Sequence, residues 1–176
     1  IHENCDRARI SKYIKKYNNH TPMNTEQKAF TYIDRFAGNI RAILQSRFFL
    51  DYSSYSDQEK TKGVTERVVI ETIMCIYHFD KWKKQPKALC KYLNDNGSEE
   101  EFNQLAGNLY RLEYVITDAT KSIFNKKDSF IFLTLFDKFT KLGFEDAKFA
   151  GFLRKFQEEY RAVRKNEKGL LFDEID

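Results

Sequence analysis

Four polar side chains share one line on an otherwise apolar stretch, GVTERVVIETIMCIYHFDKW, from Gly63 to Trp82. At about 100° per residue, Arg67, Glu71, Cys75 and His78 fall close together on a helix. A carboxylate, a thiol and an imidazole on one face are donor types for a metal, and a thiol beside an imidazole is how a cysteine nucleophile meets its base. Only Cys75 and His78 are typical zinc donors, short of the three or four ligands that such sites use. The plainer reading is an Arg67–Glu71 ion pair at i,i+4 beside a hydrogen-bonded histidine, and it is the one favoured here, because charged helix faces of this kind are unselective.

The second chemical feature is cationic. Lys81, Trp82, Lys83, Lys84, Lys87 and Lys91 form the densest basic segment, with no acidic residue inside it. Lysines there can grip phosphates, while Trp82 and Tyr92 offer faces on which a base can stack. The competing reading is a solvated helix face with Trp82 folded onto the core. A weaker basic cluster, Arg154, Lys155, Arg161, Arg164 and Lys165, is interleaved with Glu158 and Glu159. Glu26-Gln27-Lys28 has the E-x-K spacing of some nuclease sites, but it falls on a helix without an upstream acid and reads as surface. The chain has no HExxH, no GxSxG and no glycine-rich phosphate loop. All-helical ribonucleases of the HEPN type place a histidine four to six residues after an arginine, a spacing that neither Arg67 and His78 nor Arg9 and His20 has. No catalytic residue, metal site or cofactor is therefore assigned.

The elements that must position these groups read as helices. With 2 Pro and 7 Gly in 176 residues, long helices are favoured over a turn-rich sheet protein, and 41% apolar residues suffice for a real core. A first helix is expected from His2 to Asn19, ended by Pro22, which pushes Thr21 out of the helical region. Asn24 and Gln27 resemble a capping box that opens a second helix, with Phe30, Ile33, Phe36, Ala37, Ile40, Leu44 and Phe48 on its apolar face. Asp51 to Gly63 is polar and reads as a loop. The stretch from Gly63 is apolar almost all round, as a central buried helix is, and is expected to end near Lys81. Pro86 suits the first turn of a short helix through about Leu93. Ser98 and Glu101 form another capping box, followed by an a/d seam of Phe102, Leu105, Leu109, Leu112, Ile116, Ala119 and Ile123. Asp128 is expected to cap a helix that Gly143 stops. A last helix is expected from Glu145 to Lys165, with Phe149, Phe152, Phe156, Tyr160 and Val163 on one face and Gly169 as its stop.

The sum is an all-α chain, a single bundle-like domain of about six or seven helices over residues 1–176, expected to be a piece of a longer protein. No apolar run approaches the roughly 20 residues that cross a bilayer, and the first ten residues lack the apolar core of a signal peptide. Cys5, Cys75 and Cys90 fit no zinc or redox spacing and suggest reduced thiols, hence a cytoplasmic location without a membrane partner. The net charge of +4 permits contact with nucleic acid without demanding it.

One family resemblance sharpens this. YNNHTPMNTEQKAFTYIDRFAGNIRAIL, from Tyr17 to Leu44, resembles the segment after the catalytic core in GmrSD-type proteins of the ParB-like nuclease fold. There an Asn-containing turn leads to an apolar residue, a small polar cap and a Glu- or Gln-bearing helix, places that Asn18, Met23, Asn24 and Gln27 would fill. The following helices, ERVVIETIMCIYHFDKW and the later phenylalanine-rich ones, are similar to that family's helical half. The family's Asp-Gly-Gln-Gln-Arg stretch and its HNH-type motif are absent, so no catalytic residue carries over. The resemblance implies a helical accessory domain of a bacterial DNA-targeting or phage-defence protein. Its partners would be the catalytic core of the parent chain and DNA, the latter through Lys81 to Lys91. The alternative is a protein-interaction module with no nucleic-acid role.

Overall fold

The computed structural model describes residues 22–173, and the helix expected from His2 to Asn19 lies outside them. The described residues are all-α, with nine α-helices joined by turns and short 3₁₀ segments and with no strand. The count exceeds six or seven because three helices are only five or six residues long.

Helix α1 (Thr25–Phe30) opens on the expected capping box, Asn24 accepting from the Gln27 N–H and Gln27 reaching back. Both side chains also donate to carbonyls that end a later helix, Asn24 to Lys62 and Gln27 to Thr61. The helix expected to run on to Phe48 is instead broken into a 3₁₀ turn (Asp34–Phe36), α2 (Ala37–Leu44) and α3 (Arg47–Asp51). Two local events break it. The Thr31 hydroxyl donates to Lys28, tightening the turn, and the Arg35 N–H goes to the Asn94 side chain at 3.1 Å. A tertiary partner has displaced an intrahelical one, while Ile33, Phe36, Ile40 and Phe48 stay buried as the periodicity requires.

The expected loop before Gly63 contains α4 (Asp57–Thr61), capped by Ser56 and Glu59. Gly63 follows with φ +81°, and a Cβ there would meet a Phe30 ring carbon at 2.5 Å. Central helix α5 (Val64–Tyr77) buries Val68, Val69, Ile70, Ile73 and Met74 and packs against α2, α4, α6, α7 and α8. It ends earlier than expected. His78 leaves helical geometry, a 3₁₀ turn takes Phe79–Lys81, and Phe79 points outward at 75% exposure.

Helix α6 (Pro86–Asn96) starts on its proline, and α7 (Glu99–Leu112) on the Ser98–Glu101 box. The seam expected through Ile123 stops being helical at Leu112. Val115, Ile116 and Thr117 are β-branched and poor helix formers. The Thr120 hydroxyl then takes the Thr117 N–H at 3.0 Å, so the chain turns and ends in a 3₁₀ segment, Lys121–Ile123. Val115, Ile116 and Ile123 are still buried, so the apolar pattern marks core here without marking helix. Helix α8 (Ser129–Lys141) is helical as expected, but Asp128 does not cap it, because its carboxylate accepts from the Asn125 amide. Gly143, at φ +75°, turns the chain into α9 (Asp146–Asp173), which runs through Gly169. Among the described residues no helix is long and apolar enough to cross a membrane.

Gly63 combines a left-handed backbone with contact against Phe30, so Gly63→Ala adds conformational strain to a clash. The variant should lose about 2 kcal/mol or more in urea unfolding; a loss below roughly 0.5 kcal/mol would show that Phe30 yields freely.

Candidate functional site

The polar line of α5 separates into two unrelated groups. Arg67 is the hub of the first. Its guanidinium lies 3.6 Å from Glu26 and 3.7 Å from Glu71, and it donates to the Lys126 carbonyl at 3.1 Å. The i,i+4 pair is thus present, widened to α1 through Glu26 and to the turn before α8 through Lys126. Burial pushes the Glu71 carboxyl up, with Arg67 pulling the other way, and burial also pushes the Cys75 thiol up to about 11. A thiol so placed stays protonated near neutrality and is a poor nucleophile. His78 belongs elsewhere. It sits beyond the end of α5, with Nε2 3.2 Å from the Glu101 carboxylate and its ring edge-on to Tyr92 at 5.3 Å. Among the described residues no three His, Cys, Asp or Glu side chains are grouped to hold a metal.

His78 stands at the root of the basic segment. The Glu101 carboxylate that meets it also accepts from the Ser98 N–H, so the end of α5 is pinned to the start of α7. Trp82 is half-buried against the core, and its indole N–H is sealed from solvent without a partner. Trp82 and Gln85 have extended backbone, and Lys83 and the bend residue Lys84 between them are exposed. Lys81 is engaged by Asp80 at 3.0 Å, and that hydrogen bond raises the lysine and lowers the aspartate. Lys87 and Lys91 are one turn apart on α6. Both ammonium groups lie over the ring of Tyr32, at 4.8 and 5.0 Å from its centroid. This follows from the packing of α1 beside α6. Lys83, Lys84, Lys87 and Lys91 make no ion pair among the described residues.

Comparison with protein-family models finds no match, and comparisons with curated proteins and with solved structures find none either.

Tyr32 is the member of this cluster that the sequence hides. It lies on a different element from the lysines, and only the broken helix after α1 brings it under them. The aromatic platform for cations is thus Tyr32, whereas Trp82 spends part of its surface on the core. A second surface was equally hard to see. An open groove of about 850 Å³ runs between α8, α9 and the turn before α8, with Ile131, Leu135, Phe152, Phe156 and Tyr160 along it.

Glu71 supplies a pH test. Its folded-state pKa is raised, so the folded chain holds this proton more tightly than the unfolded chain does. The associated stability is present below the ordinary glutamate range and is lost as pH rises through the folded-state value. Glu71→Gln should flatten that segment of the stability–pH curve; an unchanged slope in urea unfolding from pH 4 to 7 would place the titration on another group.

Proposed function

We propose that this chain is a helical accessory module that contacts DNA through its phosphates, serving a catalytic core of the ParB-like, GmrSD type outside these residues. The observation that carries the reading is the exposed basic run of Lys83, Lys84, Lys87 and Lys91, with the Lys87 and Lys91 ammonium groups over the Tyr32 ring. These four exposed lysines make no ion pair among the described residues and so concentrate positive potential, and condensed counterions released from DNA would drive binding. Tyr32 holds two of the ammonium groups at fixed height and reduces the freedom they lose on binding. Such contacts position a duplex without reading its sequence. The resemblance of residues 17–44 to the segment after the catalytic core of GmrSD-type proteins supports the same reading and would make that core the partner.

Binding of a mixed-sequence duplex should weaken with salt, with a log–log slope of roughly −3 to −4 if the four lysines each neutralise a phosphate. A Lys83/Lys84/Lys87→Glu variant should lose most of the affinity while keeping its thermal midpoint. Undiminished binding by that variant, measured by fluorescence anisotropy, would sink the nucleic-acid role in favour of a protein-interaction module.

A further inference from the structure

We propose that the DNA this site takes is single-stranded, with an unpaired base stacked on Phe79 and the adjoining phosphates on Lys83 and Lys84. This rests on the reading that the basic run meets phosphates, and it narrows the ligand. Phe79 is the most exposed phenylalanine among the described residues, at 75%. A single exposed aromatic is ordinary on a protein surface. What gives this one a ligand is its place, just ahead of the basic run, and the state of the other rings around it.

Those rings are engaged. Trp82 packs on the core, Tyr92 meets His78 edge-on at 5.3 Å, and Tyr32 carries two ammonium groups at 4.8 and 5.0 Å. Phe79 has no ring or cation partner among the described residues. Its backbone is nevertheless fixed. The Lys81 N–H donates to the His78 carbonyl at 2.9 Å and the Trp82 N–H to the Phe79 carbonyl at 3.1 Å. His78 is held in turn by Glu101 at 3.2 Å. The turn thus presents the ring outward from a rigid base, and little freedom is left to lose on binding. Asp80 is the acidic neighbour, and Lys81 neutralises it at 3.0 Å, so the turn itself opposes no phosphate. Lys83 and Lys84 follow within about 14 and 18 Å of Phe79 along the chain, both exposed.

An exposed flat ring distinguishes two forms of DNA. In a duplex every base is already stacked on its neighbours, and a wedge must prise a step apart to reach one. An unpaired base has its face free, and stacking it on an aromatic side chain is worth roughly tenfold in affinity. Such stacking tolerates any base, as the phosphate contacts do.

Fluorescence anisotropy on the full chain tests this with two probes of equal phosphate number, labelled oligothymidine and a blunt duplex. The parent should bind oligothymidine roughly tenfold more tightly. Phe79→Ala should remove that preference while leaving duplex affinity, both salt slopes and the thermal midpoint unchanged, because the ring is on the surface and the lysines remain. Phe79→Trp should restore the preference and add an indole whose emission oligothymidine quenches and blunt duplex does not. Equal affinity of the parent for both probes, or a Phe79→Ala variant that keeps the preference, would overturn the single-strand assignment and leave the phosphate reading standing. Binding of neither probe would overturn both.

Discussion

Central helix α5 must be covered on nearly every side, and the rest of the chain is arranged to do it. Thr65, Val68, Val69, Ile70, Thr72, Ile73 and Met74 are all buried within fourteen residues. Each fully buried Val, Ile or Met contributes roughly 1.5–3 kcal/mol relative to exposure, an upper estimate because unfolded chains already hide some surface. A helix of this kind has no water-facing stripe wide enough to sit at an edge, so its neighbours have to surround it. Polar groups drawn inward are met locally. The Thr72 hydroxyl donates to the Val68 carbonyl at 2.7 Å, and Arg67 binds carboxylates and a carbonyl from different parts of the chain.

Around this axis the packing is heavily aromatic. Phe36 stacks on Phe102 at 4.7 Å, Phe48 meets Phe124 edge-on at 5.2 Å, and Phe136 lies 4.9 Å from Phe149. The first two pairs join elements far apart in sequence, which is how short elements, marginal alone, are fixed in place. Polar inserts add orientation. Asn108 donates to Asp137 at 3.0 Å, and Asp137 also binds Lys141 at 2.7 Å, whose ammonium lies over the Tyr77 ring. Tyr55 donates to Ser129, and its phenol is pushed up chiefly by burial. Removing one member of such a set strands the others without water, so these contacts specify how α5, α7 and α8 sit together as well as stabilising them.

What the sequence reveals and what it hides divide along physical lines. Helical class, the central helix and the capping boxes at Asn24 and Ser98 are local signals, set by a few neighbouring side chains, and they are present. The same rule applied to Ser56 and Glu59 finds α4, which polar composition alone conceals. Interruptions were harder to see. The periodic faces from Phe30 to Phe48 and, apart from the exposed Ala119, from Phe102 to Ile123 do pack on the core, but periodicity does not say whether the backbone between buried positions stays helical. The Asn94 side chain decides the first break from far along the chain, and a β-branched run with a threonine turn decides the second. Of the basic site, the lysines are visible as a run, whereas their meeting with Tyr32 depends on α1 lying beside α6.

The interior polar groups are largely occupied by one another, and this bears on where function resides. Arg67 is shared by Glu71 and Glu26, and Asn108, Asp137 and Lys141 form a second set. A group whose charge is already matched and shielded gains little from a ligand that must first displace its partner. The exposed candidates are at the rim: Lys87 and Lys91 over Tyr32, Lys83 and Lys84 ahead of α6, and Ile131, Leu135 and Phe152 along α8 and α9. Both surfaces are carried by direct neighbours of α5, since α6 and α8 each pack on it. The buried helix holds two outward faces in fixed geometry, one carrying the lysines of the basic run and one carrying exposed apolar residues of α8 and α9.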